Sequence, residues 1–197
     1  RRYKIFRSMI KIGILGDIGS GKSYVAQNFG YPIFNADYEV AKIYKQNKNI
    51  YNKLKKSLPK YIHSFPIEKK EISTAILAEE NNLKKIIKIV HLEIRKKMNT
   101  FLEKNKNKKI VILDIPLLLE NKINKKNDIL VYVDSPKSAI LIRLKKRKNF
   151  NQKLLKKFKT IQLPTSYKRK KSHFIIKNNF TKKNVKDAIK YILKEIL

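Results

Sequence analysis

A phosphate-binding motif near the start of this chain restricts the folds that the chain can adopt. Residues 10–24 read IKIGILGDIGSGKSY, an apolar run that leads into a glycine-rich loop. Gly16, Gly21, Lys22 and Ser23 match the pattern G-x-x-x-x-G-K-[ST] without a mismatch. Apolar residues at helical spacing follow the motif. Strand, glycine loop and helix form the context that this motif requires, so the sequence predicts an α/β fold.

The same loop predicts binding of a nucleoside triphosphate. Glycines let the backbone turn tightly and bring N–H groups close to phosphate oxygens. In such loops the lysine reaches the β- and γ-phosphates and the serine hydroxyl binds Mg²⁺, so we expect ATP and Mg²⁺ as cofactors. The predicted nucleotide-binding residues of the loop are Gly16, Gly19, Ser20, Gly21, Lys22, Ser23 and Tyr24. A glycine-rich turn that binds nothing is the weaker alternative, because every motif position is filled.

Composition indicates one α/β domain of ordinary size. The chain has 197 residues, of which 42% are hydrophobic, and it contains no cysteine, which excludes disulfides and thiolate metal sites. No apolar run approaches the length of a membrane span. We therefore expect a soluble cytoplasmic enzyme. The chain does not begin with methionine, and we expect residues 1–8 to be an over-extended start or a disordered basic tail, with Met9 as the natural start.

The net charge of the chain is extreme. Lys and Arg number 48 against 15 Asp and Glu, a formal net charge of +33. One interpretation is nucleic-acid binding. The other is a lysine-biased composition, as in proteins from AT-rich genomes. The lysines are scattered over predicted helix faces and no aromatic-basic recognition motif is present, so we favour the second interpretation and expect no nucleic-acid partner.

Five short apolar segments predict the strands of the sheet. They are residues 10–15, 32–37, 109–114, 129–134 and 174–176. Helical patterns separate them, and strands that alternate with helices give a parallel sheet covered on both faces. The third segment ends in Asp114, and an acid that closes a buried strand of such a sheet helps to hold Mg²⁺ directly or through water. The predicted fold is a five-stranded parallel sheet of the P-loop kinase type, flanked by helices.

Asp37 has two interpretations. It follows the second predicted strand and precedes a helix predicted over 38–44, so it is a candidate N-cap. It also stands at the carboxyl end of a parallel strand, where ligands bind in such sheets, so it is a candidate general base. The sequence alone leaves both open.

Residues 48–104 show no strand pattern, and we interpret them as a helical acceptor-binding subdomain. Apolar residues at three- and four-residue spacing predict helices over 50–58, 68–78 and 83–102. His91 lies on or beside the apolar stripe of the last helix. A hydrogen-bonded core histidine is the commoner role for such a residue, and substrate binding is the alternative.

A basic region, residues 143–171, is predicted to form a lid. It begins in a helix predicted over 138–148, where Arg143 and Arg147 would lie one turn apart on one face. It is interrupted by Pro164. A solvated helix face is the alternative, but beside a phosphate loop we favour a mobile lid whose cations close over the transferring phosphoryl group. Thr181 is predicted to cap the final amphipathic helix.

Several local motifs, in order, resemble the dephospho-CoA kinase family from about Met9 to the C-terminus. The phosphate loop, Asn35-Ala-Asp37 and the segment that ends at His91 each resemble a family motif. The block from Asp114 to Glu120, with sequence DIPLLLE, is the most diagnostic. Further matches are Arg143 with Arg147, Gln162-Leu-Pro164, Lys168, and Ile176-Lys-Asn178. The chain departs from the family pattern at Leu92, Leu119, Phe158 and Lys177.

The resemblance implies a reaction and a set of residues. It implies transfer of the γ-phosphoryl group of ATP to the ribose 3′-hydroxyl of dephospho-CoA, with Asp37, Lys22 and Arg143 as catalytic residues. It adds Arg147 and Asn178 to the nucleotide-binding residues, and with the residue pattern it gives Ser23 and Asp114 as metal ligands. The implied substrate-binding residues are Asp37, His91, Pro116, Leu117, Leu118 and Glu120.

The expected organisation is a core of 9–47, 105–142 and 172–197, an acceptor-binding subdomain of 48–104 and a lid of 143–171. We expect a monomer or small homo-oligomer. The alternatives are another small-metabolite or nucleoside-monophosphate kinase on the same scaffold, or a basic nucleic-acid-binding protein with a vestigial loop.

Overall fold

A computed structural model describes residues 9–197, so the prediction for residues 1–8 lies outside the described residues. The chain forms two compact units. The first contains the described chain up to Asn35, Phe101–Lys148 and Leu163–Leu197. The second contains Ala36–Thr100 and Asn149–Gln162.

The first unit is built on a parallel sheet of five strands, as the sequence predicts. The strands are β1 (Ile10–Gly16), β2 (Ile33–Asn35), β3 (Ile110–Asp114), β4 (Ile129–Asp134) and β5 (Phe174–Lys177). Their order across the sheet is β2-β3-β1-β4-β5. The strand that leads into the phosphate loop is therefore central, with Ile10 paired to Ile110 and Ile12 to Ile129.

Helices alternate with the strands in the described chain. They are α1 (Lys22–Asn28), α2 (Ala36–Gln46), α3 (Lys48–Ser57), α4 (Lys69–Ala78), α5 (Asn82–Lys104), α6 (Lys137–Lys145), α7 (Gln152–Thr160), α8 (Thr165–Lys171) and α9 (Lys182–Ile196).

The core of the first unit joins β-branched strand residues to two helices. Every residue of β3 is buried, as expected for a parallel strand covered on both faces. Val25 of α1 and Ile189 of α9 belong to the same buried cluster as Ile12 and Val131 of the strands. Burial of each such side chain contributes about 1.5–3 kcal/mol, so this apolar cluster fixes the strand ends that carry the polar residues of the site.

The second unit is helical, and no strand occurs over 48–104 in the described chain. The apolar stripe predicted on α5 is buried at Ile86, Val90, Ile94 and Met98. Asn47 caps α3, since its side chain accepts a hydrogen bond from the Ile50 N–H at 3.0 Å. Within residues 9–197, no helix combines the length and apolar character needed to cross a membrane.

Two interpretations at helix ends are wrong, and a third is confirmed in position only. Helix α2 begins at Ala36, so Asp37 lies in its first turn and is not the N-cap. A carboxylate there still interacts favourably with the helix dipole. Helix α6 ends at Lys145: the Lys146 N–H still bonds to the Ile142 carbonyl four residues back, but the Arg147 N–H bonds to the Leu144 carbonyl only three residues back. Arg147 therefore lies beyond the helix that carries Arg143. Thr181 occupies the N-cap position of α9 but its hydroxyl makes no capping bond, because it donates to Asn179 Oδ1 at 2.7 Å.

Candidate active site

The loop between β1 and α1 has a backbone that only glycine fits. Gly16, Gly19 and Gly21 have φ values of 149°, 90° and 91°. A Cβ atom at Gly16 would lie 2.8 Å from the Val133 backbone oxygen, and one at Gly19 would lie 2.9 Å from Cγ of Leu144. Close approach of β4 and α6 therefore gives the loop the tight path that the motif predicts.

The Lys22 ammonium group lies across this loop. Its Nζ atom donates to the Gly16 carbonyl at 3.0 Å and to the Asp17 carbonyl at 2.8 Å. These bonds hold a positive charge at the loop where the motif predicts phosphate oxygens. The neighbouring Ser23 is exposed in the first turn of α1, so its hydroxyl is accessible to a ligand.

Two polar side chains hold the loop from within the first unit. Asn178 Nδ2 and Ser135 Oγ both donate to the Ser20 carbonyl, at 2.8 and 2.9 Å. The Asn178 side chain also accepts from the Phe180 N–H at 2.9 Å. Asn178 is only 1% exposed, so this predicted nucleotide-binding residue supports the loop rather than presenting its amide at the surface. Sequence reasoning missed Ser135, because a serine after a strand carries no signal by itself.

Asp114 ends β3 where the sequence predicts a metal-binding carboxylate. The residue is 3% exposed, and its Oδ2 accepts a hydrogen bond from Asn35 Nδ2 at 2.8 Å. No group of three or more His, Cys, Asp or Glu suited to a metal occurs among the described residues. A hydroxyl and a carboxylate nevertheless suit Mg²⁺, because this ion keeps several waters and takes other oxygens from substrate phosphates. The residues present fit such an ion.

Asp37 and His91 belong to the second unit. Asp37 is exposed, two residues after the end of β2. His91 is partly buried, and its buried Nε2 atom has no hydrogen-bond partner in the part of the chain that the structure describes. Burial, with the nearby Arg95 charge, holds the pKa of His91 below its ordinary value. Its imidazole is therefore neutral near pH 7.

The predicted acceptor segment after β3 contains residues in different environments. Leu118 is fully buried, and a Cβ atom at Gly13 would lie 2.5 Å from its Cδ2 atom, so Leu118 packs on β1. Pro116 and Leu117 are partly buried. Glu120 Oε1 lies 2.7 Å from Lys168 Nζ, a contact that the sequence does not reveal.

Arg143 lies against an aromatic ring beside the phosphate loop. Its guanidinium carbon is 4.2 Å from the centroid of the Phe180 ring, a cation–π contact. Phe180 itself has a φ of 65°, and its ring comes within 3.5 Å of a Cβ atom built at Gly21. The sequence predicted Arg143 but gave no signal for Phe180.

Comparison with known proteins identifies the family. The family model described as Dephospho-CoA kinase matches residues 10–184, which include the phosphate loop, the acceptor segment and Asn178.

This chain belongs to the dephospho-CoA kinase family.

Members of this family are phosphotransferases, and the relatives of this chain match it over nearly its whole length. A dephospho-CoA kinase of Wolbachia sp. subsp. Brugia malayi is 33% identical over 187 residues, which are 92% of this chain and 95% of that protein. The solved structure of TT1252 from Thermus thermophilus has a TM-score of 0.78 and 26% identity, covering 97% of this chain and 100% of that one. A dephospho-CoA kinase from Campylobacter jejuni, at 21% identity, has a TM-score of 0.61 and covers 94% of this chain and 96% of that one. The last likeness supports the P-loop kinase fold.

Proposed function

We propose that this family member transfers the γ-phosphoryl group of ATP to the ribose 3′-hydroxyl of dephospho-CoA, releasing ADP and coenzyme A. The observation that carries the proposal is the phosphate loop, with three glycines at positive φ and Lys22 Nζ held across it at 2.8–3.0 Å from two of its carbonyls. Membership of the dephospho-CoA kinase family supports the choice of acceptor.

In the proposed reaction the acceptor oxygen forms a bond to the γ-phosphorus. The bond from that phosphorus to the bridging oxygen of ADP breaks, and the hydroxyl proton passes to the carboxylate of Asp37. Lys22, with Arg143 and Arg147, would neutralise charge on the transferring group. Reactions of this kind depend mostly on positioning and electrostatic stabilisation, so cations and an exposed carboxylate are sufficient protein groups.

We further propose that Ser23 and Asp114 hold Mg²⁺ together with phosphate oxygens of ATP. When bound, the ion would neutralise charge on the phosphates. The backbone of residues 16–24 would hold the triphosphate, and Asn178 with Ser135 would keep the loop in shape through the Ser20 carbonyl.

The acceptor site remains a proposal built on the sequence. It would be shaped by His91 of the helical insert 48–104 together with Pro116, Leu117, Leu118 and Glu120. Leu118 would act by packing the segment after β3 on β1. We also predict that the basic lid 143–171 closes, that the enzyme acts in the cytoplasm, and that it is a monomer or a small homo-oligomer.

A coupled assay of ADP release tests the proposed function. We expect turnover with dephospho-CoA only when Mg²⁺ is present, and none with coenzyme A, whose 3′-hydroxyl is already phosphorylated. Nucleoside monophosphates serve as competing acceptors. Faster turnover with a nucleoside monophosphate than with dephospho-CoA would overturn the proposed acceptor, while ADP release that needs no acceptor would show ATP hydrolysis instead.

A further inference from the structure

Lys168 is a buried cation in a chain whose lysines mostly lie on exposed faces. It is 1% exposed on α8, and its Nζ atom is 2.7 Å from Glu120 Oε1. The same Glu120 oxygen accepts the Leu163 N–H at 3.0 Å. The next residue along the helix, Arg169, pairs with Asp134 at the surface, with the two side chains 49% and 30% exposed. Burying two charges is costly, so the Lys168–Glu120 pair is weak evidence for stability and needs another explanation.

The second carboxylate oxygen of Glu120 provides that explanation. The side chain is only 8% exposed, and within residues 9–197 its Oε2 atom has no hydrogen-bond partner. An ionised carboxylate can only accept hydrogen bonds, and a buried acceptor that lacks a donor destabilises the fold. An N–H or O–H group of a bound molecule would satisfy this oxygen.

The position of Glu120 relative to the phosphate loop follows from α8. Thr165 Oγ1 donates to Asp17 Oδ1 of the loop at 3.1 Å. Thr165 and Lys168 are three residues apart, so they share one face of the helix at about 5–6 Å between Cβ atoms. Lys168, which contacts Glu120, is therefore one helical turn from the residue of α8 that contacts the phosphate loop.

We propose that Lys168 is a positioning residue for the acceptor: it holds Glu120 through Oε1 so that Oε2 accepts a hydrogen bond from the ribose 2′-hydroxyl of dephospho-CoA. The inference rests on the proposed function, because it assigns a contact of the same acceptor. The 2′-hydroxyl is chosen because it is the hydrogen-bond donor next to the reacting 3′-hydroxyl, and the reacting end of the acceptor must lie beside the phosphate loop.

The test compares dephospho-CoA with its 2′-deoxy analogue in a set of variants. The wild-type enzyme is expected to prefer dephospho-CoA by about 10- to 100-fold in kcat/KM, the range for a hydrogen bond to a charged group. Replacing both members of the pair, in Glu120→Met with Lys168→Met, removes the contact without leaving a buried charge. Such replacements are often neutral or stabilising, so this double variant is expected to fold.

The double variant is expected to lose the preference for dephospho-CoA over its 2′-deoxy analogue. Its KM for dephospho-CoA should rise about 10- to 100-fold, while its KM for ATP should stay within about twofold of wild type. Lys168→Met alone leaves the Glu120 carboxylate buried without its cation, so the thermal midpoint should fall by about 6–20 °C. Arg169→Met is the matched control, since it removes a cation from the adjacent position of the same helix, and it should keep the wild-type preference.

A double variant that folds and still prefers dephospho-CoA by the wild-type factor overturns the inference. So does a wild-type enzyme that uses both acceptors equally. Neither result affects the proposed function, which fails separately if the wild-type enzyme does not phosphorylate dephospho-CoA at all.

Discussion

The Lys22 ammonium group is held by two carbonyl oxygens of the loop that it is proposed to serve. Those carbonyls keep the charge at the loop, where it can meet phosphate oxygens without a large movement of the chain. A side chain arranged in this way contributes to transition-state stabilisation through preorganised charge.

Lys22→Ala should therefore abolish measurable turnover while the fold is retained. The change removes the cation that lies across the phosphate loop and leaves the three loop glycines in place. The measurement is ADP release with dephospho-CoA, alongside far-ultraviolet circular dichroism to check folding. Turnover at the wild-type rate in this variant would contradict the assignment of the phosphate loop.

Asp37→Asn should lower kcat by about 100-fold or more, because an amide cannot accept the proton of the acceptor hydroxyl. KM for ATP should change little, since the substitution keeps the shape of the side chain. Steady-state kinetics with each substrate varied in turn measure both effects. If kcat is nearly unchanged, Asp37 serves the first turn of α2 and has no part in proton transfer.

The residues of the site differ in how far the sequence can predict them. Gly16, Gly21 and Lys22 are predictable because their roles depend on a few consecutive residues. Asn178 was predicted, but its support of the loop was not, because β5 and β1 are far apart in sequence and β4 lies between them in the sheet. The Lys168–Glu120 contact was not predicted either, because the two residues are far apart in sequence. In addition, a lysine in a basic run normally lies in solvent.

At the scale of elements, the central strand β1 has little space for side chains where the acceptor segment packs on it. Gly13 leaves room for Leu118, and a Cβ atom there would lie 2.5 Å from Leu118 Cδ2 and 3.1 Å from Leu130 Cδ2. The glycine thus fixes the position of the segment that leads to Glu120.

Gly13→Ala should lower the free energy of unfolding by about 1–3 kcal/mol, the usual cost of overpacking. Combined with Leu118→Ala, its effect should be smaller than in the wild-type background, because the closer of the two clashes is gone. Urea unfolding of the single and double variants measures this coupling. Gly30→Ala is a control, as nothing lies within 4 Å of a Cβ atom at Gly30, and it should show no coupling to Leu118.

The types and order of the elements follow closely from the sequence, while their ends do not. Each of the five strands is predicted because apolar, β-branched runs bounded by polar residues have few other stable structures. The end of α6 depends on whether each backbone N–H bonds to the carbonyl four residues back or to the one three residues back. The basic sequence KKRK at 145–148 does not indicate which of the two bonds forms. Arg147 was misplaced for that reason.

At the scale of the whole molecule, charge is the dominant property. A formal net charge of +33 on 197 residues creates self-repulsion that opposes the compact state. The described ion pairs, such as Lys168–Glu120 and Arg169–Asp134, use only a few of the cations.

Raising the ionic strength from about 10 mM to about 150 mM should therefore raise the thermal midpoint, because the screening length falls from about 30 Å to about 8 Å. Sodium chloride and potassium chloride should act equally at matched ionic strength. Differential scanning fluorimetry measures the shift. A midpoint that is independent of both salts would show that repulsion does not limit stability.

The order of strands in the sheet also affects how the protein is made. Of the five described strands the central one is synthesised first, yet Ile10 has its partner at Ile110. Translation adds about 5–20 residues per second, so the emerging strand waits about 5–20 s for its first neighbour. During that interval its backbone amides and carbonyls lack their partners in the sheet, and unpaired strand edges of this kind can pair with other chains.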